Sequence, residues 1–251
     1  MMKQRLIAPL TLVCAVAFGA MPASAAKVPA PPANTVGVST SIAIPAGIAK
    51  APFTTAAGKS VSLNSLSGVT ILIPMLTLCP EVCPFTTGNI LQLHARLQAK
   101  QATGVQIVAL SVDPQRDTKA RLAAYAKQLG VSPSSKQLQF WRGGSASTTK
   151  VMKFFGMRAD RLAVESPAPK DWWTGKPITY DVDHSDGFFV LDANHKVKFI
   201  SGLAPRFVGT LSKALKGYLS EEGLETLAHP GPGWTPSQAL QAMAYVARRP
   251  L

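Results

Sequence analysis

Two cysteines four positions apart, Cys79 and Cys83, sit in the run Thr77-Leu78-Cys79-Pro80-Glu81-Val82-Cys83-Pro84. The third cysteine, Cys14, lies in an apolar N-terminal stretch. A lone pair with three residues between, fenced by two prolines, is poor material for a structural staple. Thiolates bind soft metals and attack disulfides, so the pair points to a disulfide, a metal site, or a cycle between them. Two sulfur ligands leave a metal site incomplete, and the four histidines are the place to look for a third donor. His94 falls well inside a helical pattern and points elsewhere. His195, in a hairpin turn, and His229, beside Pro230 in the tail, read as exposed. His184, in Tyr180-Asp181-Val182-Asp183-His184-Ser185, stands where an irregular stretch meets an apolar strand. Such junctions present functional side chains, so position makes it a candidate without deciding between ligand and bystander.

The elements that must hold these residues follow from periodicity. Val69 to Leu76 is a short apolar run, β-branched at its start, and reads as a buried strand. Pro74 objects, because proline cannot donate to a ladder; a bulge or an early strand end would reconcile it. From Pro84 onward, Ile90, Leu91, Leu93 and Leu97 recur at helical spacing. The cysteines therefore span a strand-to-helix turn. Backbone N–H groups at a helix start favour a thiolate, and Cys83 lies closest to that start. Val105 to Val112 reads as a second buried strand, and Thr118 to Leu129 as a helix ended by Gly130. A strand over Leu138 to Trp141 and a helix over Ser147 to Phe155 follow. Met157 to Tyr180 has prolines, paired tryptophans and no period, and reads as an inserted loop. Gly187 to Leu191 and Lys196 to Ile200 form a hairpin, and Phe207 to Leu219 a helix. The order implies an α/β fold with helices on a mixed central sheet.

The chain has 251 residues and a formal net charge of +13. Residues 1–25 read as a signal peptide: Lys3 and Arg5, then an apolar stretch from Leu6 to Ala20, then Ala23-Ser24-Ala25 as a cleavage site. About 15 apolar residues fall short of the roughly 20 of a spanning helix, and an uncleaved anchor is the alternative. The expected address is periplasmic, where thiols oxidise unless protected. Residues 26–50, rich in Ala, Pro and Val, read as a linker, and residues 220–251 as a C-terminal extension. There Thr235-Pro236 opens a helix whose weakly apolar face (Leu240, Met243, Ala244, Ala247) packs onto the domain. The positive charge suits an acidic partner or peripheral contact with anionic lipid. No compact basic run interleaved with aromatics appears, which argues against nucleic acid.

Three motifs in order carry a resemblance. The cysteine run is the first. Ser111-Val112-Asp113-Pro114-x-Arg116-Asp117-Thr118 is the second, and Val182-Asp183-His184-Ser185 the third. Together they resemble the Sco/SenC copper-chaperone family over roughly residues 51–219. The resemblance implies a thioredoxin-like fold and one copper ion per chain, Cu(I) and in some states Cu(II). Its ligands would be Cys79, Cys83 and His184. It further implies a part in assembling the dinuclear copper site of cytochrome c oxidase, or service to another copper enzyme, with other copper carriers and a thiol reductant as partners. Asp113 and Asp183 are candidates to orient the ligands from behind. Asp113 could equally be a turn residue, and Asp117 reads as the N-cap of the next helix. The chain departs from the family pattern at Ile73-Pro74-Met75-Leu76 and at Asn194-His195 in the hairpin turn, where family members often place glycine. On this reading the protein is a carrier, not a turnover enzyme. The rival is a thiol–disulfide oxidoreductase that uses the same cysteines to reduce the acceptor's oxidised pair.

Overall fold

The computed structural model describes residues 28–164 and 166–251. The expected signal peptide, with Cys14, lies outside the described residues. No helix among the described residues is long and apolar enough to cross a membrane.

Among the described residues, ten strands and seven helices follow one another. The first part holds β1 (Val38–Ala43), α1 (Ala46–Ala49), β2 (Phe53–Thr55), β3 (Ser60–Val61), β4 (Val69–Met75), α2 (Cys83–Ala99) and β5 (Val105–Ser111). Next come α3 (Lys119–Gln128), β6 (Leu138–Gly143), α4 (Ser145–Phe154), β7 (Ala159–Leu162), β8 (Asp181–His184), β9 (Phe188–Leu191) and β10 (Lys196–Ser201). The chain closes with α5 (Lys213–Lys216), α6 (Glu221–Ala228) and α7 (Pro236–Ala247). Eight strands form one sheet in the order β1-β10-β9-β4-β5-β6-β2-β3, and β7 with β8 forms a separate ribbon. The strands β4, β5 and β6 run parallel, while β9 pairs antiparallel to β4 and leads into the β9–β10 hairpin. A βαβ unit beside an antiparallel ββα unit is the thioredoxin-like arrangement, and the cysteines lie at its first strand-to-helix turn.

The strand period of two sorts the core into two layers. Val69, Ile71, Ile73 and Met75 of β4 face α2, α3 and α7, where Ile90, Leu93, Leu122 and Met243 are buried. Leu72 of β4 and Val108 and Leu110 of β5 face the other way, against Val151 and Met152 of α4. Both sheet faces are covered, which is why β4 and β5 read as continuous apolar runs.

Pro74 is accommodated by an early end to pairing on one flank. Val112 N–H donates to the Met75 carbonyl at 2.9 Å, so Met75 faces β5 and its neighbour Pro74 faces β9. Pairing with β9 stops at Leu72, so the missing proline donor falls beyond that ladder.

Several elements differ from the sequence expectation, among them the short helices α1 within the expected linker and α6 within the extension. Residues 38–43, expected within a linker, form the edge strand β1 against β10. Five of its six side chains are exposed, so it is held by backbone bonds and carries no burial pattern. The inserted loop contains β7, paired with β8 so that Ala159 lies opposite His184; its residues are mostly exposed and lack an apolar alternation. The helix expected over Phe207 to Leu219 is only the short α5, because Gly209 takes a φ of 129°, outside helical space, and Ser212 caps the later start. In the hairpin turn it is His195, not Asn194, that takes a positive φ of 56°; its ring Nε2 lies 3.0 Å from the Leu66 carbonyl, an anchor formed across the fold.

The extension belongs to the core. Thr235 caps α7 in a reciprocal box with Gln238, and Trp234, Ala239, Ala242 and Met243 are fully buried. Met243→Ala is expected to cost about 2–5 kcal/mol of unfolding free energy, the range for buried Met→Ala. Urea unfolding checks this: a tail that merely lies on the surface would leave the midpoint unmoved.

Candidate metal centre

The cysteine turn hangs between two fixed points. Strand β4 ends at Met75, and α2 begins at Cys83 with Pro84 in its first turn, where a missing donor is harmless. Between them Thr77 is tied down from behind. Asp117, buried under the turn, accepts from the Thr77 hydroxyl at 2.6 Å, from the Thr77 backbone N–H and from the Ser111 hydroxyl at 2.6 Å. The Trp172 indole N–H donates to the Thr77 carbonyl at 2.8 Å. Trp172 is held in turn by its neighbour Asp171, which takes a bidentate pair from Arg121 of α3. Asp117 is thus not the helix cap expected from sequence. The cap is Thr118, whose side chain accepts from the Arg121 backbone N–H, and Asp117 is freed to face inward.

His184 reaches the same place from the last position of β8. The Arg158 backbone N–H donates to the Ser185 hydroxyl at 2.9 Å, and Ser185 N–H returns a bond to the Arg158 carbonyl, so the ribbon end is pinned beside the ring. His184 Nδ1 lies 2.9 Å from the Ser185 carbonyl, which can only accept, so Nδ1 carries the proton. In the neutral ring that leaves Nε2 as a lone-pair donor, and Nε2 stands 3.4 Å from Cys83 Sγ. The outer bond of a metal-ligating histidine is of this kind.

The two thiols are pushed apart. Cys79 is held below its ordinary range by a hydrogen bond from Cys83, helped by backbone N–H groups of Cys83, Glu81 and Val82 that outweigh its burial. Cys83 is pushed well up by that same bond to Cys79, by burial and by the neighbouring charge. The sequence points to Cys83 as the thiol lowered by the helix start; in the structure Cys79 is the lowered one, chiefly through the Cys83 side chain and then through backbone N–H groups of Glu81 and Val82 in the turn and of Cys83 where α2 begins. Cys79 is half-buried and Cys83 buried.

Above the sulfurs lies a cleft of about 860 Å³ that Cys79 and His184 both line. Glu81, Asp181, Asp183, Asp186, Glu221 and Glu222 rim it, an acidic mouth on a chain whose net charge is +13. Asp186 was not singled out in the sequence. Burial pushes its carboxyl up, and His184 beside it pulls the other way. Its only sequence signal was a carboxylate two residues from the candidate histidine.

The structure brings Cys83 and His184 together and places Cys79 against Cys83. Among the described residues no three His, Cys, Asp or Glu side chains converge closely enough to hold a metal ion as they stand. The two aspartates expected behind the ligands have other work. Asp113 accepts from Arg116 and from the Tyr180 hydroxyl at 3.0 Å. Asp183, next to His184 in the strand, pairs with Arg158 at 2.6 Å on the exposed side. Neither contacts the imidazole by hydrogen bond, because the orienting partner of His184 is the Ser185 carbonyl. His94 lies inside α2 among core residues, and His229 sits 3.7 Å from Glu225.

A thioredoxin-like scaffold with a Cys-x-x-x-Cys turn, faced by a histidine from a separate ribbon, defines a protein of thiol redox or soft-metal chemistry. The model of the SCO1/SenC family matches residues 47–206, and the chain belongs to that family. It is 28% identical over 141 residues to the SCO1 protein homolog of Bacillus subtilis (strain 168), a match covering 56% of this chain and 65% of that protein. It is 28% identical over 121 residues to the mitochondrial SCO2 homolog of Bos taurus, covering 46% and 38%. The chain thus spans less than two thirds of these relatives' lengths. Among solved structures, Bradyrhizobium japonicum ScoI with copper bound is 24% identical, with a TM-score of 0.49, over 72% of this chain and 99% of that one. A SCO1/SenC family lipoprotein from Bacillus anthracis str. Ames is 28% identical, with a TM-score of 0.46, over 60% and 82%.

Asp117 gives the site a measurable pH signature. Burial raises its carboxyl from 3.8 to about 6. The folded state then binds the proton more tightly than the unfolded chain, so the associated stability is full below about pH 4 and is lost as pH rises through about 6. Two pKa units correspond to roughly 3 kcal/mol. Asp117→Asn removes this titration. Urea unfolding between pH 4 and 7 is expected to show the variant gaining on the parent as pH rises to about 6, with a constant gap above it.

Proposed function

We propose that this protein is an extracytoplasmic copper carrier that binds one ion through Cys79, Cys83 and His184 and passes it to the copper-bearing subunit of cytochrome c oxidase or a related copper enzyme. The observation that carries the reading is the approach of His184 Nε2 to Cys83 Sγ at 3.4 Å, with Nδ1 already committed to a carbonyl. A sulfur and a ring nitrogen from positions far apart in the chain meet with the nitrogen lone pair free. Two thiolates and an imidazole form a donor set that selects Cu(I). Membership of the SCO1/SenC family supports the same choice.

Coordination calls for a side-chain rotation that swings the Cys79 sulfur toward the Cys83–His184 pair, within the cleft it already lines. The depressed thiol is the accessible one, so Cys79 meets the incoming ion first, and the buried Cys83 loses its proton as the ion binds. A three-coordinate ion at the floor of an open cleft leaves room for a ligand from the acceptor, and copper passes by ligand exchange. The acidic rim favours approach of a cation and of a positively charged partner face.

The thiol asymmetry supports a second activity, disulfide exchange with the acceptor's cysteines. A depressed, half-buried Cys79 is a competent nucleophile, and the adjacent Cys83 can then resolve the mixed disulfide. In an oxidising compartment the pair closes unless a reductant keeps it open.

The test is copper stoichiometry and affinity on the reduced mature chain beside His184→Ala. One equivalent is expected on the parent. Binding in the variant should weaken by more than roughly 100-fold, beyond the usual cost of losing an outer-shell partner. Weak binding that ignores His184 would replace the carrier reading with disulfide exchange.

A further inference from the structure

A second cavity, of about 550 Å³, lies on the α4 side of the sheet. Small-molecule sites fall in this size range, roughly 300–1,000 Å³. Helix α4 forms one wall, where Ser145, Thr149 and Lys153 recur at helical spacing and so share a face. The β7–β8 ribbon forms another, through Ala159, Arg161 and Val182, with Arg158 just before it. The floor is apolar and made by Val112, Met152, Met157 and Val182, all buried. Methionine side chains adapt to irregular apolar shapes, so this floor suits an apolar body without dictating one outline.

The charge around this cavity is one-sided. Lys153, Arg158 and Arg161 line it, and Asp113 is the one carboxylate side chain among its described lining residues. Asp113 is buried and already accepts from Arg116 and from the Tyr180 hydroxyl. Arg158 shares its charge with Asp160 and Asp183. Lys153 and Arg161 make no ion pair among the described residues. Arg161 lies 4.3 Å over the Tyr180 ring, a contact that leaves its charge in place. Both side chains are exposed, so two uncompensated cations stand at the mouth above a buried apolar floor. A cationic ligand would be repelled there, and a neutral one would leave both charges unused. The cleft above the sulfurs is rimmed by carboxylates, so an anion is turned away from that cleft and drawn to this cavity.

We propose that this cavity is a binding site for a small organic anion with an apolar body. Its acidic group is drawn to Lys153 and Arg161, and its body lies on Met152, Met157 and Val182. The guanidinium fork of Arg161 suits a carboxylate or sulfonate, and the Lys153 ammonium adds a point charge. None of these residues is a candidate copper ligand, so the site stands whether or not the chain carries copper.

The probe is 8-anilinonaphthalene-1-sulfonate, an anion whose fluorescence rises when its rings leave water, titrated into the full mature chain. N-phenyl-1-naphthylamine, the same rings without the sulfonate, reports the apolar contribution alone. The sulfonate is expected to bind saturably at one equivalent. Replacing both cations, Lys153→Ala with Arg161→Ala, is expected to weaken it roughly tenfold or more, the worth of a charge-assisted contact. The neutral amine is expected to bind more weakly and to be indifferent to that double variant. Lys127→Ala, on α3 across the sheet, is expected to leave sulfonate binding unchanged. No saturable binding up to about 1 mM overturns the proposal. So does a double variant that binds like the parent, or an equal loss in Lys127→Ala, which would make the attraction one of net charge. Equal binding of the sulfonate and the neutral amine overturns the assignment of an anion. Urea midpoints, expected to match the parent because both replaced side chains are exposed, separate loss of the site from loss of the fold.

Discussion

The buried carboxylate of Asp117 is the constraint on which the site is built. It accepts three hydrogen bonds in a place where burial alone would protonate it. Two of them come from Thr77, two residues before the first cysteine. A carboxylate out of water is tolerated only when donors converge on it, so the turn, the end of β5 and the start of α3 are locked into one arrangement. Removing any one of those donors would leave the others facing an undersatisfied charge. The cysteine turn is therefore tied down at its base, while Cys79 lines the cleft and Cys83 stays buried beneath it.

The insertion between α4 and β8 completes the cage from the other side. Arg121 pairs with Asp171 at 2.8 and 2.5 Å and lies 5.1 Å over the Trp173 ring, so the loop is clamped to α3 by charge and stacking together. Burial opposes ionisation of Asp171, and the Arg121 pair with two backbone N–H groups overcomes it, holding the carboxyl well below the usual range. Arg116 plays a similar part on the opposite flank, lying 3.8 Å over the Tyr180 ring while bonded to Asp113. An element without hydrophobic periodicity is thus ordered by two arginines, and it delivers β8 and His184 to the sulfurs.

Much of the fold was legible in the chain. The apolar runs of β4 and β5 stand out because both of their faces are buried, and α2 because Ile90, Leu93 and Leu97 fall on one side. Two strands that the sequence pattern does not show, β1 and β7, owe their stability to pairing rather than burial. Strand β1 exposes nearly every side chain and is held by β10, and β7 is exposed and held by β8. The apolar pattern suggests a longer helix than α5 because Phe207 and Leu211, both buried, carry an apolar signal through a segment that Gly209 bends out of helical space.

The sequence by itself determined the chemistry on offer: two thiols at a strand-to-helix turn, one histidine at a loop-to-strand junction, and motifs that identify the family. Residue type and local spacing are sufficient for that, since nucleophilicity and ligand softness belong to the side chains. What only the tertiary structure decided is how those groups are biased. Cys79 is the depressed thiol, His184 offers Nε2 through a bond to its neighbour's carbonyl, Asp113 and Asp183 turn to arginines, and Asp117 supports the turn rather than a helix. Each of these depends on a contact or an orientation that spacing does not encode: the Asp117–Thr77 bond spans 40 positions and the Cys83–His184 approach 101. Electrostatic bias falls off with distance in space, not along the chain, so it appears only once the chain has folded.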